Sequence, residues 1–242
     1  MNKLLTLVLL ACMPLTGFST CIAIYVATNG HIYVAADTRR TFLLDDSDKN
    51  KFETICKIHN VGDTYFAVSG FDDAGLQNAA TTALSQNTDI NNALKAFCTQ
   101  MTAHYQYRMQ QIQKYFPEKL ESFLINGLGD VCFFGYINGE PKIQEVQFTV
   151  RLKKNKLEIN YQVQQVAYIT VLGITKDIDN AAPEELPDKL TMLGKPALYV
   201  EKLVELEAKK RPMAVSAPID LLELKPDGAT WIKKNDEAAA VE

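Results

Sequence analysis

Two short runs dense in β-branched and aromatic residues, Ile22 to Val26 and Ile32 to Ala36, flank Thr28-Asn29-Gly30. Asn-Gly between such runs is a strong hairpin signal, because the tightest turns need positive φ at both central residues. The chain is therefore predicted to open with a hairpin. A charged segment from Asp45 to Glu53 leads to a second pair, Ile55 to Asn60 and Thr64 to Ser69, turned at Gly62-Asp63. The two hairpins together predict a sheet.

After Gly70 the period changes. Asp72 or Asp73 is placed to cap a helix through about Leu84, and Asp89 to cap a longer one. In the longer segment Ile90, Leu94, Phe97, Met101, Tyr105, Met109, Ile112 and Phe116 recur at steps of three and four, an amphipathic stripe ended by Pro117. Its Met and aromatic members read as core filling. Strands return at Val131 to Ile137, Gln144 to Leu152, Leu157 to Gln165 and Ala167 to Thr175, with Asn138-Gly139 and Lys154-Asn155 as turns. The acidic, Pro-containing stretch from Asp177 to Asp188 reads as a surface loop. Pro196 opens a helix to about Lys210, whose charge run Glu205 to Arg211 reads as an exposed face. Ile219 to Leu224 and Thr230 to Lys233, around Pro226-Asp227-Gly228, form a closing hairpin. Two helices between two groups of strands, and one helix before the last hairpin, predict an α+β fold with sheets between helical layers.

The N-terminus adds an address. Lys3 followed by Leu4 to Ala11 is a positive region and then an apolar region too short to span about 30 Å of hydrocarbon. Residues 1–20 read as a signal peptide, with Gly17 and Ser19 as the small residues before a cleavage point. Cleavage there would release a chain beginning Thr20-Cys21. Leu9-Leu10-Ala11-Cys12 also matches a bacterial lipoprotein box, in which Cys12 would be lipidated and become the N-terminus. No other apolar run reaches about 18 residues, so no integral membrane span is expected. The expected organisation is one domain over 21–235 and a frayed Ala-rich acidic tail over 236–242, in a periplasmic or secreted protein.

Composition narrows the partners. The 242 residues are 47% apolar and 22% charged, which describes a folded, water-soluble chain, and 25 Lys and Arg against 29 Asp and Glu give a net charge of −4. An acidic chain without a basic cluster has no electrostatic footprint for nucleic acid. The five cysteines, Cys12, Cys21, Cys56, Cys98 and Cys132, include no C-x-x-C pair, so neither a zinc site nor any other cofactor is expected. Export permits disulfides, and with Cys21 free one pair could form among Cys56, Cys98 and Cys132. His31, His59 and His104 read as structural or solvated rather than as ligands.

The candidate chemistry lies in Cys21, Asp37 and Lys57. Cys21 begins the first strand, Asp37 ends its hairpin partner in Ala35-Ala36-Asp37-Thr38-Arg39, and Lys57 follows in Cys56-Lys57-Ile58, before Phe66-Ala67-Val68-Ser69-Gly70. A nucleophile, an orienting carboxylate and a cation can thus converge at one end of a sheet. If Cys21 is the first residue of the mature chain, its α-amino group, with an ordinary pKa of about 7.7–8.0, can take the thiol proton.

These residues resemble the N-terminal nucleophile hydrolases, specifically proteasome β-type subunits and related bacterial peptidases. The closing Val215 to Gly228 segment is similar to that family's C-terminal strand pair. The resemblance implies a four-layer αββα sandwich of two antiparallel sheets. It further implies Cys21 as nucleophile, Asp37 fixing Lys57, Lys57 lowering the proton affinity of the nucleophile and amine, Arg39 bracing Asp37, and the Gly70 amide donating to the oxyanion. Lys51 is the other candidate lysine, because the loop after Asp37 is longer than in standard β subunits, and Thr20 is the alternative N-terminus. The implied activity is hydrolysis of a peptide or small amide through a thioester, with a homo-oligomer possible. The alternative from a different class is an inactive proteasome-like assembly protein.

Overall fold

The Asn29-Gly30 turn closes with Ala27 N–H on His31 O at 2.9 Å and pairs β1 (Cys21–Val26) with β2 (Ile32–Asp37). The computed structural model describes residues 20–41, 52–71, 73–87, 89–154 and 156–235. Residues 1–19 of the expected signal peptide, with Cys12, and also Lys51, most of the charged loop, Asp72, Asn155 and the expected tail lie outside them. Two further strands, β3 (Arg39–Thr41) and β4 (Phe52–Thr54), form a small antiparallel ribbon beyond Asp37.

The second hairpin is β5 (Ile58–Val61) with β6 (Thr64–Gly70), and it does not join the first. This corrects the expectation of one sheet from the two hairpins. The first continues through β10 (Ile169–Gly173), β11 (Ile219–Lys225) and β12 (Gly228–Lys233) in the order β10-β1-β2-β11-β12. The second continues as β5-β6-β7-β8-β9, with β7 (Gly129–Ile137), β8 (Glu140–Lys153) and β9 (Lys156–Val166). Every pairing is antiparallel. Alternation within a hairpin specifies its two faces but not its neighbours, which come from distant segments: β10 and β11 for the first hairpin and β7 for the second.

Helices α1 (Asp73–Gln86), α2 (Ile90–Tyr115) and α3 (Pro117–Asn126) follow β6. Asp89 caps α2 by accepting from the Asn91 and Asn92 N–H groups, both at 3.0 Å. Pro117 does more than end α2. It is the first residue of a third helix where two were expected, since a proline at that position sacrifices no helical hydrogen bond. The acidic stretch is likewise not all loop, because α4 (Lys176–Asp179) and then α5 (Lys189–Gly194) precede α6 (Pro196–Lys210).

The core falls into three clusters set by strand alternation. Phe66, Val68, Val131, Phe133, Val146 and Phe148 pack against the α1–α3 helices, including the expected stripe of α2. Ile22, Ile24, Val34, Ala67, Cys132 and Phe134 meet between the two sheets. Cys21, Ala23, Tyr25, Tyr33 and Ala35 pack with Val200, Leu203 and Val204 of α6. Both faces of β1 are therefore buried, which is why it reads as an unbroken apolar run. Cys21, Cys56, Cys98 and Cys132 are free thiols, and Cys98 and Cys132 belong to clusters on opposite faces of one sheet. Glu207 corrects the expected exposed face of α6: it is wholly buried, one turn past Leu203 and Val204.

Candidate active site

The register set by the first hairpin brings Cys21 opposite Asp37, one step beyond the Ile22↔Ala36 pair. The Cys21 backbone N–H donates to Asp37 Oδ1 at 2.7 Å. The Lys57 ammonium, just before β5, donates to the same oxygen at 2.9 Å. Asp37 is 0% exposed and Lys57 2%, so the ion pair is sealed from water. Burial raises the Asp37 carboxyl, and the Lys57 charge and the hydrogen bonds from Lys57, Cys21 and Arg39 pull it back down. Residues 55–57, expected inside a strand, precede β5, and that irregular entry places Lys57 beneath the other sheet.

Arg39 braces Asp37 through its backbone, whose N–H donates to Oδ2 at 3.2 Å. Its guanidinium reaches instead to the Pro212 carbonyl at 2.7 Å, tying the end of β2 to the segment after α6. Gly70 ends β6 opposite Gly129. The adjacent Phe71 N–H bonds Leu128 O at 2.8 Å, so by the antiparallel pattern the Gly70 N–H points away from β7. Gly70 has φ +125°, and a Cβ there would stand 2.3 Å from the Gly129 Cα, so the position admits no side chain.

With Thr20 still attached, Cys21 is wholly buried and its thiol is pushed well above the ordinary range. Burial is the main cause, Asp37 and Glu207 add to it, and Lys57 opposes it. With Thr20 in place the Cys21 thiol is therefore held in its protonated form. Thr20 is itself buried, its carbonyl taking the Ile174 N–H at 2.7 Å.

Four more residues crowd this end of the sheets. Gly173 pairs with Cys21, and a Cβ on it would lie 2.1 Å from the Thr20 carbonyl oxygen and 2.5 Å from Ser69 Oγ. A glycine closing the Val171-Leu172 run was the sequence signal for this close approach. Ser69 Oγ is buried without a hydrogen-bond partner. Glu207 Oε1 accepts the Asp177 and Ile178 N–H groups at 2.7 and 2.9 Å, fixing α4. A carboxylate on an apolar helical stripe was its signal. Asp130, paired with Ser69 across β6 and β7, carried none. Among the described residues no group of three or more His, Cys, Asp or Glu is placed to hold a metal, and no helix is long and apolar enough to cross a membrane.

The sequence matches no protein-family model and no curated protein. Among solved structures it is similar to Thiobacillus denitrificans BPH at 17% identity, covering 85% of this chain and 97% of that one with a TM-score of 0.42. It is likewise similar to Thiobacillus denitrificans BPH in complex with epoxomicin, at 15% identity, 85% and 98% coverage and a TM-score of 0.42.

Proposed function

We propose that the chain is an exported, proteasome-like N-terminal cysteine hydrolase that cleaves an amide bond, a peptide bond first among them, through a thioester. The observation that carries this reading is one oxygen, Asp37 Oδ1, receiving both the Cys21 nitrogen and the Lys57 ammonium. Once cleavage makes that nitrogen an α-amine, two basic groups share one carboxylate. A single negative charge balances one cation, so the group with the lower intrinsic pKa gives up its proton. That group is the α-amine, at about 7.7–8.0 against about 10.4 for a lysine. A neutral amine is thereby held beside its own thiol.

The steps balance as follows. The α-amine takes the Cys21 Sγ proton, and the sulfur adds to the substrate carbonyl carbon. The Gly70 N–H donates to the oxyanion. Collapse breaks the C–N bond, the α-ammonium protonates the departing amine, and a thioester remains. Water, deprotonated by the same α-amine, adds to the thioester, and collapse releases the carboxylic acid and regenerates the thiol. The three core clusters, one between the sheets and one on the outer face of each, support a four-layer αββα sandwich for this chain.

A second reading is an inactive proteasome-like assembly protein, favoured by the sealed, protonated thiol of the uncut chain. Intact-mass and N-terminal analysis of the exported protein separates the two. A start at Cys21 supports the hydrolase, whereas a chain retaining the Thr20–Cys21 bond, or lipidated at Cys12, overturns it. Replacing Cys21 by Ala should abolish hydrolysis of a peptide-amide library by the mature protein.

A further inference from the structure

Gly70 carries the N–H assigned to the oxyanion, yet nothing of its own holds that peptide in place. It has no side chain and a φ of +125°, and glycine is the residue type that gives up most freedom on ordering. Its N–H points away from β7, and on the other side β5 begins only opposite Ala67, so the strand ladder leaves this donor unpaired. Ser69, just before it, has its Oγ 2.5 Å from where a Cβ on Gly173 would stand, and Gly173 pairs with Cys21. The Ser69–Gly70 peptide thus lies at the nucleophile's end of the sheets, and its aim must be fixed from outside.

The next residue is where it is fixed. Phe71 is wholly buried and both its backbone groups are held: the N–H donates to Leu128 O at 2.8 Å, and the carbonyl accepts the Tyr105 hydroxyl at 3.0 Å. Its ring is gripped as well. Phe123 of α3 meets it edge-on with centroids 4.8 Å apart, and Arg108 Cζ lies 5.4 Å from its centroid. Tyr105 and Arg108, three residues apart on α2, share one face. The reach of Tyr105 uses the glycine opposite Gly70, since a Cβ on Gly129 would crowd its Oη at 3.1 Å. Packing alone would be served by phenylalanine, because Met101, Met109 and Ile112 in the same buried stripe are apolar. The hydroxyl answers to the Phe71 carbonyl.

We propose that Tyr105 is a positioning residue for the oxyanion step: its hydroxyl, by holding the Phe71 carbonyl, fixes the strand end from which the Gly70 N–H is aimed. Tyr105 touches no reacting atom. The inference rests on the hydrolase reading, in which Cys21 is the nucleophile and Gly70 the donor. An oxyanion donor stabilises only charge that forms where it already points, so lost aim slows addition to a carbonyl and leaves the sulfur itself unaltered.

Two reagents separate these effects at one sulfur. With p-nitrophenyl acetate, Cys21 Sγ gives its proton to the α-amine and adds to the carbonyl carbon; the oxyanion then collapses, expels p-nitrophenolate and leaves an S-acetyl thioester. With iodoacetamide the sulfur displaces iodide from a saturated carbon, and no oxyanion forms. The rate of each modification of Cys21 is followed in the mature protein by peptide mass spectrometry. Tyr105→Phe should slow acetylation about tenfold, less than the roughly hundredfold loss of a whole donor, and change alkylation by less than about twofold. Phe123→Leu loosens the Phe71 ring without touching the hydroxyl and should show the same split more weakly; it decides alone if Tyr105→Phe does not fold. Unchanged acetylation, or acetylation and alkylation falling together as a merely structural role requires, overturns the proposal and leaves the hydrolase standing. A wild-type chain beginning at Cys21 that reacts with neither reagent overturns both.

Discussion

The backbone nitrogen of Cys21 lies 2.7 Å from Asp37 Oδ1, at the end of a hairpin whose turn is centred eight residues from each. Local turn chemistry at Asn29-Gly30 sets this contact, so it is present before any cleavage. On the proposed hydrolase reading, the peptide N–H stands where the α-amine of a chain cut before Cys21 would be.

The buried pair beside it should be costly to break. Lys57→Met leaves the Asp37 carboxylate sealed without its cation, with an expected loss of about 3–5 kcal/mol in urea unfolding. The double variant Asp37→Asn/Lys57→Met removes both charges, and its loss should be smaller than the two single losses added. Strict additivity would show that the two groups do not interact. Lys57→Met should also raise the pH at which Cys21 is labelled, because the ammonium favours the thiolate.

Gly173 should tolerate no side chain while Thr20 is present. Its φ of +85° and the 2.1 Å approach to the Thr20 carbonyl both oppose Gly173→Ala. The variant should lower the melting temperature of the form retaining Thr20 more than that of the form starting at Cys21, which has lost one of the two colliding atoms. Equal losses in scanning calorimetry would place the strain elsewhere.

Glu207 orders the start of α4 and adds negative charge near Cys21. Glu207→Ala removes the acceptor of two N–H groups and should cost about 2–3 kcal/mol. Glu207→Gln keeps an acceptor oxygen and should cost less. Because Glu207 raises the Cys21 thiol, the Gln variant should label at lower pH, and an unchanged labelling profile would contradict that coupling.

Asp130 gives stability a pH dependence of definite sign. Its carboxyl lies near 3.8 when free and about 7 in the fold, so between these values the folded form holds more protons. Stability from this group therefore falls as pH rises from about 4 to 7. The unfolding free energy of wild type minus that of Asp130→Asn should decline across this window, and a flat or rising difference would refute it.

Much of the architecture was legible in local pattern. The Asp89 cap, the α2 stripe and the closing hairpin follow from spacings of two, three and four residues and occur as expected. The third helix was less visible, because a proline reads as a stop as readily as a start. At the site, Cys21, Asp37 and the Gly70 turn could be found by motif. Glu207 was mistaken for surface because its neighbours in sequence are charged, although its neighbours in space are the apolar residues of the helix stripe.

The sequence alone determined the hairpin, its register and hence the pairing of Cys21 with Asp37, since a turn and an alternating run act over fewer than twenty residues. Only the tertiary structure decided that the two early hairpins join different sheets, that Lys57 reaches across to Asp37, and that Glu207 fixes the segment after β10. Those relationships depend on which distant strands and helices share a core. Hydrophobic burial favours any apolar face meeting another, so the choice among partners comes from the simultaneous packing of the whole chain rather than from any one segment.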